Sequence, residues 1–132
     1  MTQEEKIGQL IQYSQPGAET GPAVRSNIEA EIRAGRCGSM LNVVGAADTR
    51  VKQQLAVENS RLHIPLLFGY DVIHGFRTIF PINLGQAASW DLAAIERAER
   101  IAATEAAAAG VHWTFAPMVD IARDPRWGRI SE

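Results

Sequence analysis

Two polar runs in this sequence hold side chains that can bind a polar ligand. The first is Phe68-Gly-Tyr-Asp-Val-Ile-His-Gly75, in which the carboxylate of Asp71 and the imidazole of His74 follow a short apolar stretch. The second is Asp120-Ile-Ala-Arg-Asp-Pro-Arg-Trp-Gly-Arg129, which follows the apolar stretch from Val111 to Val119. In parallel α/β proteins the loops after the carboxyl ends of the strands point into a shared crevice where ligands bind. We therefore expect these two runs to form the functional site.

Asp71 is the strongest single candidate for ligand binding. At the end of a strand its carboxylate could accept hydrogen bonds from ligand hydroxyl groups, but an acid in this position can equally cap a loop or form an ion pair. For His74 the pattern favours a structural imidazole bonded to the backbone over a proton-transfer group. The position of these residues alone does not name a substrate.

The second run combines three cations with two carboxylates: Arg123, Arg126, Arg129, Asp120 and Asp124. Arginines so close to carboxylates are expected to pair with them, and a neighbouring indole can stack on a guanidinium group. This local network should satisfy most of these side chains, and one cation could remain to bind a ligand oxygen.

Other residue types give weaker indications. Trp113 and Trp127 could stack on a sugar ring, but aromatic side chains more often lie in the core, so we favour the core interpretation. The lone Cys37 predicts a buried, unreactive thiol. His63 and His112 lie far from any acid at ligand spacing, so neither a metal site nor a cofactor is expected.

Composition excludes several classes of protein. Apolar residues make up 46% and charged residues 21% of the chain, the balance of a soluble globular protein. The net charge of −2 gives no electrostatic case for nucleic acid or an anionic membrane. No apolar run approaches the roughly 20 residues that span a bilayer. The chain does not start with a signal peptide, which predicts a cytoplasmic protein if Met1 is the native start.

The pattern alternates helices and strands. It predicts helices that begin at the Thr2–Glu5 capping box, at Pro22, at Asp48 and at Asp91, and strands over residues 40–44, 64–68 and 111–119. Gly35, Pro65 and Gly110 are the expected stops, and Glu96 and Arg100 should pair on the surface. The helix residues expected to face the core include Ile7, Leu10, Ile28, Ile32, Val51, Leu55, Leu92, Ala98 and Ala102. This order predicts an α/β fold with a parallel sheet of three strands.

Several stretches along the whole chain are together highly specific. They are Met1-Thr-Gln-Glu-Glu-Lys-Ile-Gly-Gln-Leu10, Ile64-Pro-Leu-Leu-Phe-Gly-Tyr-Asp-Val-Ile-His-Gly75, Thr78-Ile-Phe-Pro81, Ala116-Pro-Met-Val-Asp120 and Asp124-Pro-Arg-Trp-Gly-Arg129 with Ser131-Glu132. On these residues the chain resembles the N-terminal domain of glycoside hydrolase family 3, particularly the bacterial periplasmic β-glucosidases.

The resemblance implies a (β/α)8 TIM-type barrel, of which residues 1–132 would form about the first half, since a complete barrel needs about 250 residues. It also implies retaining hydrolysis of β-glucosides or oligosaccharides, in which a carboxylate attacks the anomeric carbon. Asp71 and Arg129 match two family residues that bind the sugar beside the cleaved bond. The nucleophile and the acid/base residue would lie beyond Glu132, so Asp120 and Asp124 are not assigned to those roles.

The resemblance therefore leads us to expect an incomplete barrel domain over residues 1–132, inactive by itself, from a periplasmic or secreted parent. The alternative from another class is a non-catalytic carbohydrate-binding or interaction module built from half a barrel. A pair of fragments that together complete a barrel is a third possibility, and the oligomeric state is not predicted. Open sheet edges and apolar helix faces weigh against an independent module.

Overall fold

The computed structural model describes residues 1–15 and 27–130. Within them the elements are, in chain order, α1 (Gln3–Gly8), β1 (Gln12–Ser14), α2 (Ile28–Arg33), β2 (Ser39–Leu41), α3 (Ala46–Asn59), β3 (Leu67–Tyr70), α4 (Asn83–Ser89), α5 (Leu92–Ala108) and β4 (Trp113–Thr114). This order confirms the predicted α/β class. The chain divides into two compact units, one of Met1–Tyr70 with Ala109–Trp113 and one of Asp71–Ala108 with Thr114–Glu132.

The sheet has the strand order β1-β2-β3-β4. Its first three strands are parallel, with Tyr13 opposite Met40 and Met40 opposite Phe68. Met40 and Phe68 are almost completely buried, at 0% and 1% exposure. They belong to the hydrophobic core of the first unit, whose other members are Ile28, Ile32, Cys37, Val43, Leu55, Ala56 and Leu66. Strands with buried central residues are typical of a parallel sheet.

The first helix begins where the capping box predicted. The Thr2 hydroxyl accepts a hydrogen bond from the Glu5 N–H, and the Glu5 carboxylate accepts one from the Thr2 N–H. Glu5 also binds Arg61, whose Nη2 lies 2.6 Å from Oε1. Hydrogen bonds from Arg61 and from the Thr2 backbone lower the pKa of the Glu5 carboxyl to about 2. The buried carboxylate therefore joins the N-terminus to a site 56 residues along the chain.

Three predictions for the helices of the first unit were wrong. The predicted apolar face of α1 is not buried, because Ile7 and Leu10 are 54% and 87% exposed. Asp48 does not cap α3, since the helix begins after Gly45 and Asp48 lies in its first turn. Val51 is also exposed, at 59%.

Of the remaining predictions for α2 and α3, one is confirmed, one lies outside the described residues and one is wrong. The stop at Gly35 is confirmed: α2 ends at Arg33, and Gly35 has a φ of +71°, which favours glycine. The predicted start at Pro22 lies outside the described residues. Helix α3 ends at Asn59, well before the predicted stop at Pro65.

The second unit contains one expected helix and one that the pattern missed. Helix α5 matches the helix predicted from Asp91, and the Asp91 carboxylate accepts a hydrogen bond from the Ala94 N–H. Ala98 and Ala102 are buried as expected, but Leu92 is 80% exposed because it lies at the first residue of the helix. The predicted Glu96–Arg100 ion pair is present at 2.7 Å. Helix α4 was not predicted.

The strands are shorter than predicted, and the sheet has four of them. Strand β1 was missed because its three residues, Gln-Tyr-Ser, show no apolar run. Strand β3 begins three residues later and ends two residues later than the predicted 64–68, so that its last residue directly precedes Asp71. Strand β4 covers only two of the nine residues predicted from Val111, a stretch that includes Pro117, which cannot donate a backbone hydrogen bond.

Candidate functional site

Asp71 lies where the sequence predicted it, directly after the last residue of a parallel strand. Strand β3 ends at Tyr70, and Val72 on the other side of Asp71 is only 3% exposed. The Asp71 side chain is exposed, and its carboxylate has no hydrogen bond or ion pair to any residue that the structure describes. A carboxylate with vacant acceptor positions next to an anchored apolar side chain is suited to accept hydrogen bonds from a ligand.

The loop that carries Asp71, residues 71–82, is closed by two contacts between its arms. The Phe80 N–H donates a 2.8 Å hydrogen bond to the His74 carbonyl, and His74 Nδ1 lies 2.9 Å from the Phe80 carbonyl. The backbones of Gly75 and Ile79 form an antiparallel bridge inside this closure. The backbone partner of His74 confirms the structural role predicted for this imidazole.

Gly75 is required by the geometry of the same loop. Its φ is +117°, a conformation that side chains disfavour. A β-carbon at this position would lie 2.0 Å from the Thr78 carbonyl oxygen, closer than any real contact. The close approach of the two backbone segments therefore depends on the absence of a side chain.

Glu105 on helix α5 holds the tip of this loop. Its Oε2 accepts hydrogen bonds from the Arg77 and Thr78 N–H groups, both at 2.8 Å, and its Oε1 accepts one from the Thr78 hydroxyl at 2.7 Å. The Thr78 hydroxyl and backbone hydrogen bonds lower the pKa of the Glu105 carboxyl from its usual value of 4.5. Sequence reasoning missed Glu105, because its separation of 27 positions from Thr78 leaves no local signal.

Several contacts lie within the second polar run. Asp124 and Arg126 form the predicted ion pair, with Arg126 Nη2 at 2.6 Å from Asp124 Oδ2, and the Arg126 guanidinium lowers the pKa of the Asp124 carboxyl. Backbone hydrogen bonds join Trp127 to Asp124 and Ile130 to Trp127 as successive turns. Residues 121–130 are all exposed, including Arg123 and Arg129.

Asp71 and Arg129 are the two predicted ligand-binding residues. No hydrogen bond or ion pair joins Asp71 to Arg129, although both lie in the described part of the chain. Their convergence on one ligand therefore stays a prediction.

The tryptophans do not lie in the core, contrary to the favoured interpretation. Trp113 is 47% exposed and Trp127 is 36% exposed. Exposed indoles can stack on a sugar, which was the alternative interpretation of these two residues.

Cys37 is buried, as predicted. It is 3% exposed, and burial raises the pKa of its thiol to about 12. Such a thiol is not a nucleophile at neutral pH.

Three further features of residues 1–15 and 27–130 concern other kinds of site. No three His, Cys, Asp or Glu side chains among them are grouped to hold a metal ion. No helix in the described part is long and apolar enough to cross a membrane. An apolar cleft of about 350 Å³ in the second unit is lined partly by Phe80, Pro81 and Ile95, and neither Asp71 nor Arg129 contributes to it.

The described residues have an α/β fold with parallel strands, and the exposed carboxylate of Asp71 directly follows β3. Residues 2–132 match the glycosyl hydrolase family 3 N-terminal domain, and the chain belongs to that family. It is 48% identical to the periplasmic β-glucosidase of Salmonella typhimurium over 132 residues, which are 100% of this chain and 17% of the relative. It is 35% identical over 85 residues to the lysosomal β-glucosidase of Dictyostelium discoideum, 61% of this chain and 10% of that protein.

Solved structures agree with this assignment. The β-glucosidase from Listeria innocua in complex with isofagomine has a TM-score of 0.85 and 39% identity, covering 99% of this chain and 18% of that one. Its complex with glucose has a TM-score of 0.82 and 38% identity, covering 100% and 19%. The predicted fold class, part of a (β/α)8-type barrel, is confirmed. The chain spans less than a fifth of the length of these relatives.

Proposed function

We propose that these 132 residues supply the sugar-binding part of the active site of a β-glucosidase-like hydrolase. The parent protein, meaning the complete reading frame that contains them, would release terminal β-D-glucosyl residues from β-glucosides or oligosaccharides with retention of configuration. The observation that carries the proposal is the exposed Asp71 carboxylate, unpaired among the described residues, directly after a parallel strand. The similarity to a β-glucosidase solved with glucose supports a sugar as the ligand.

Asp71 suits this role because a carboxylate accepts strong, charge-assisted hydrogen bonds from hydroxyl groups. Two such bonds fix the orientation of a pyranose ring, and they strengthen catalysis if they tighten as charge develops at the anomeric carbon. Arg129 would donate hydrogen bonds to the same sugar, as the family resemblance implies. In this proposal neither residue forms or breaks a covalent bond.

Catalysis itself needs two further carboxyl groups, a nucleophile and an acid/base residue about 5–5.5 Å apart in retaining enzymes. The family resemblance places neither of them on a residue of this chain. Asp124 is engaged by Arg126, which agrees with a structural role for that carboxylate. We therefore propose that the 132 residues bind the sugar but do not hydrolyse it by themselves.

The decisive test compares Asp71→Asn with wild type in the parent protein, with p-nitrophenyl β-D-glucopyranoside as substrate. Loss of a charged hydrogen-bond acceptor should lower kcat/KM about 100-fold, given roughly 3 kcal/mol for hydrogen bonds to a charged group. Asp48→Asn, an exposed carboxylate in the first turn of α3, is the matched control and should keep wild-type activity.

Three results would contradict the proposal. Unchanged kcat/KM in Asp71→Asn would remove Asp71 from the sugar site. Hydrolysis by the isolated 132-residue chain would show that a nucleophile lies within it. Sugar binding by the isolated chain, when the parent protein has no hydrolase activity, would favour a non-catalytic carbohydrate-binding module.

A further inference from the structure

We infer that Glu105 is a positioning residue for Asp71: through the tip of the 71–82 loop, it fixes the place of the carboxylate that binds the sugar. This inference rests on the proposed function, because it assumes that Asp71 contacts the substrate. Glu105 itself does not touch the ligand. Its effect reaches the sugar only through the backbone of the loop.

The contacts of Glu105 are unusually complete for a side chain on a helix surface. Both carboxylate oxygens are used, and all three donors belong to Arg77 and Thr78, at 2.7 to 2.8 Å. Two of the donors are backbone N–H groups of a loop, which would otherwise need water. The carboxylate thus replaces solvent at the tip and ties it to a long helix.

The connection from the tip to Asp71 is short, and the two arms of the loop are in contact. Between the tip and Asp71, the closure of His74 onto Phe80 joins the arms of the loop. Gly75 and Ile79 bridge inside that closure, and Val72, next to Asp71, is buried. The buried Val72 anchors the residue next to Asp71, and Glu105 holds the tip of the same loop. Without Glu105 the tip loses its attachment to α5, and only Val72 and the closure of His74 onto Phe80 hold the loop.

The charge on Glu105 adds to this anchoring. Its lowered pKa means that the carboxylate is ionised throughout the neutral range, and ionised acceptors form the stronger hydrogen bonds. A glutamine would retain one amide oxygen for the two backbone N–H groups, and its NH₂ group could donate to the Thr78 hydroxyl. Glutamine should therefore preserve much of the hydrogen-bond geometry at the tip of the loop. Alanine should preserve none of these hydrogen bonds.

The experiment measures kcat/KM for p-nitrophenyl β-D-glucopyranoside and the inhibition constant of glucose in the parent protein. Glu105→Ala should lower kcat/KM at least about tenfold and weaken glucose inhibition similarly, since small misplacements of a binding group are costly. Glu105→Gln should recover most of the loss. Glu96→Ala, on the same helix but paired with Arg100, should match wild type.

A double-variant cycle separates positioning from a general structural role. If Glu105 acts through Asp71, adding Glu105→Ala to Asp71→Asn should change kcat/KM less than about twofold, because the interaction is already lost. If the losses of kcat/KM in the two single variants multiply in the double variant, the inference is overturned. It is also overturned if Glu105→Ala behaves like Glu96→Ala. An unchanged Asp71→Asn variant would instead refute the proposed function. If Glu105→Ala fails to fold, Thr78→Val takes its place in the same cycle with Asp71→Asn, and the same outcomes support or overturn the inference.

Discussion

The loop after β3 and the polar run after β4 each supply one predicted sugar-binding residue, yet they are held in different ways. In the 71–82 loop the tip is fixed by Glu105, a residue 27 positions away, and the arms are joined by His74 and Phe80. In residues 121–130 the Asp124–Arg126 pair and the backbone turns span two or three residues. These contacts tie the 71–82 loop to a distant residue, and they tie residues 124–130 to one another.

The largest expected effect comes from a matched pair of glycines. Gly75→Ala should lower the free energy of unfolding by about 2 kcal/mol, from backbone strain and the clash with the Thr78 carbonyl. Gly128→Ala should change it by less than about 0.5 kcal/mol, because no atom lies within 4 Å of the added methyl group. Denaturant titration of both variants measures the difference. Equal effects would mean that the two segments are not held differently.

The sequence predicted those features whose cause lies within one helical turn. The capping box joins Thr2 to Glu5, and the surface pair joins Glu96 to Arg100, so residue spacing alone defines each contact. The position of Asp71 was predictable for a similar reason, because an apolar run followed by an acid is a local pattern.

The features that the sequence did not predict arise from distant contacts or from short elements. The Glu105 anchor joins residues 27 positions apart and leaves no periodicity. Strand β1 has three residues, and its place in the sheet comes from pairing with β2. For α3, the backbone at Gly45, with a φ of +109°, sets the start of the helix in place of the capping side chain expected at Asp48.

Acid should weaken both segments through their carboxylates. The pKa values of Glu105 and Asp124 are lowered in the folded protein, so each contributes stability above its unfolded pKa and loses it as the pH falls through the folded pKa. The loss should therefore begin below about pH 4.5 for Glu105 and 3.8 for Asp124. Hydrogen exchange of peptides 71–82 and 120–130, corrected for intrinsic rates, measures each segment separately.

The Glu105→Gln variant tests whether Glu105 causes the acid dependence of hydrogen exchange in residues 71–82. The variant has no carboxylate at this position, so exchange in 71–82 should lose its acid dependence while exchange in 120–130 keeps it. Persistence of the acid dependence in 71–82 would show that another group controls the loop.

A smaller effect is expected from Thr78→Val, which removes one of the three hydrogen bonds to Glu105 and retains the shape of the side chain. The two backbone N–H groups of Arg77 and Thr78 can still bind the carboxylate. We expect a loss of about 1 kcal/mol in unfolding free energy, the usual net value of one hydrogen bond. Thr104→Val is the control, since its hydroxyl bonds only the carbonyl one turn earlier on α5. A larger loss in Thr104→Val would argue against the anchor at Thr78.

The smallest effect should come from Arg126→Ala. Its ion pair with Asp124 is exposed, with side chains 88% and 50% accessible to solvent. Exposed pairs contribute little because water screens them and both side chains must be ordered. The unfolding free energy should change by less than about 0.5 kcal/mol, close to the change for Arg50→Ala, an exposed arginine on α3. Sugar affinity should nevertheless fall if Arg129 binds the ligand, because Arg126 and Asp124 shape the turn that leads to it. A loss of stability as large as that of Gly75→Ala would show that this run is anchored as firmly as the Asp71 loop.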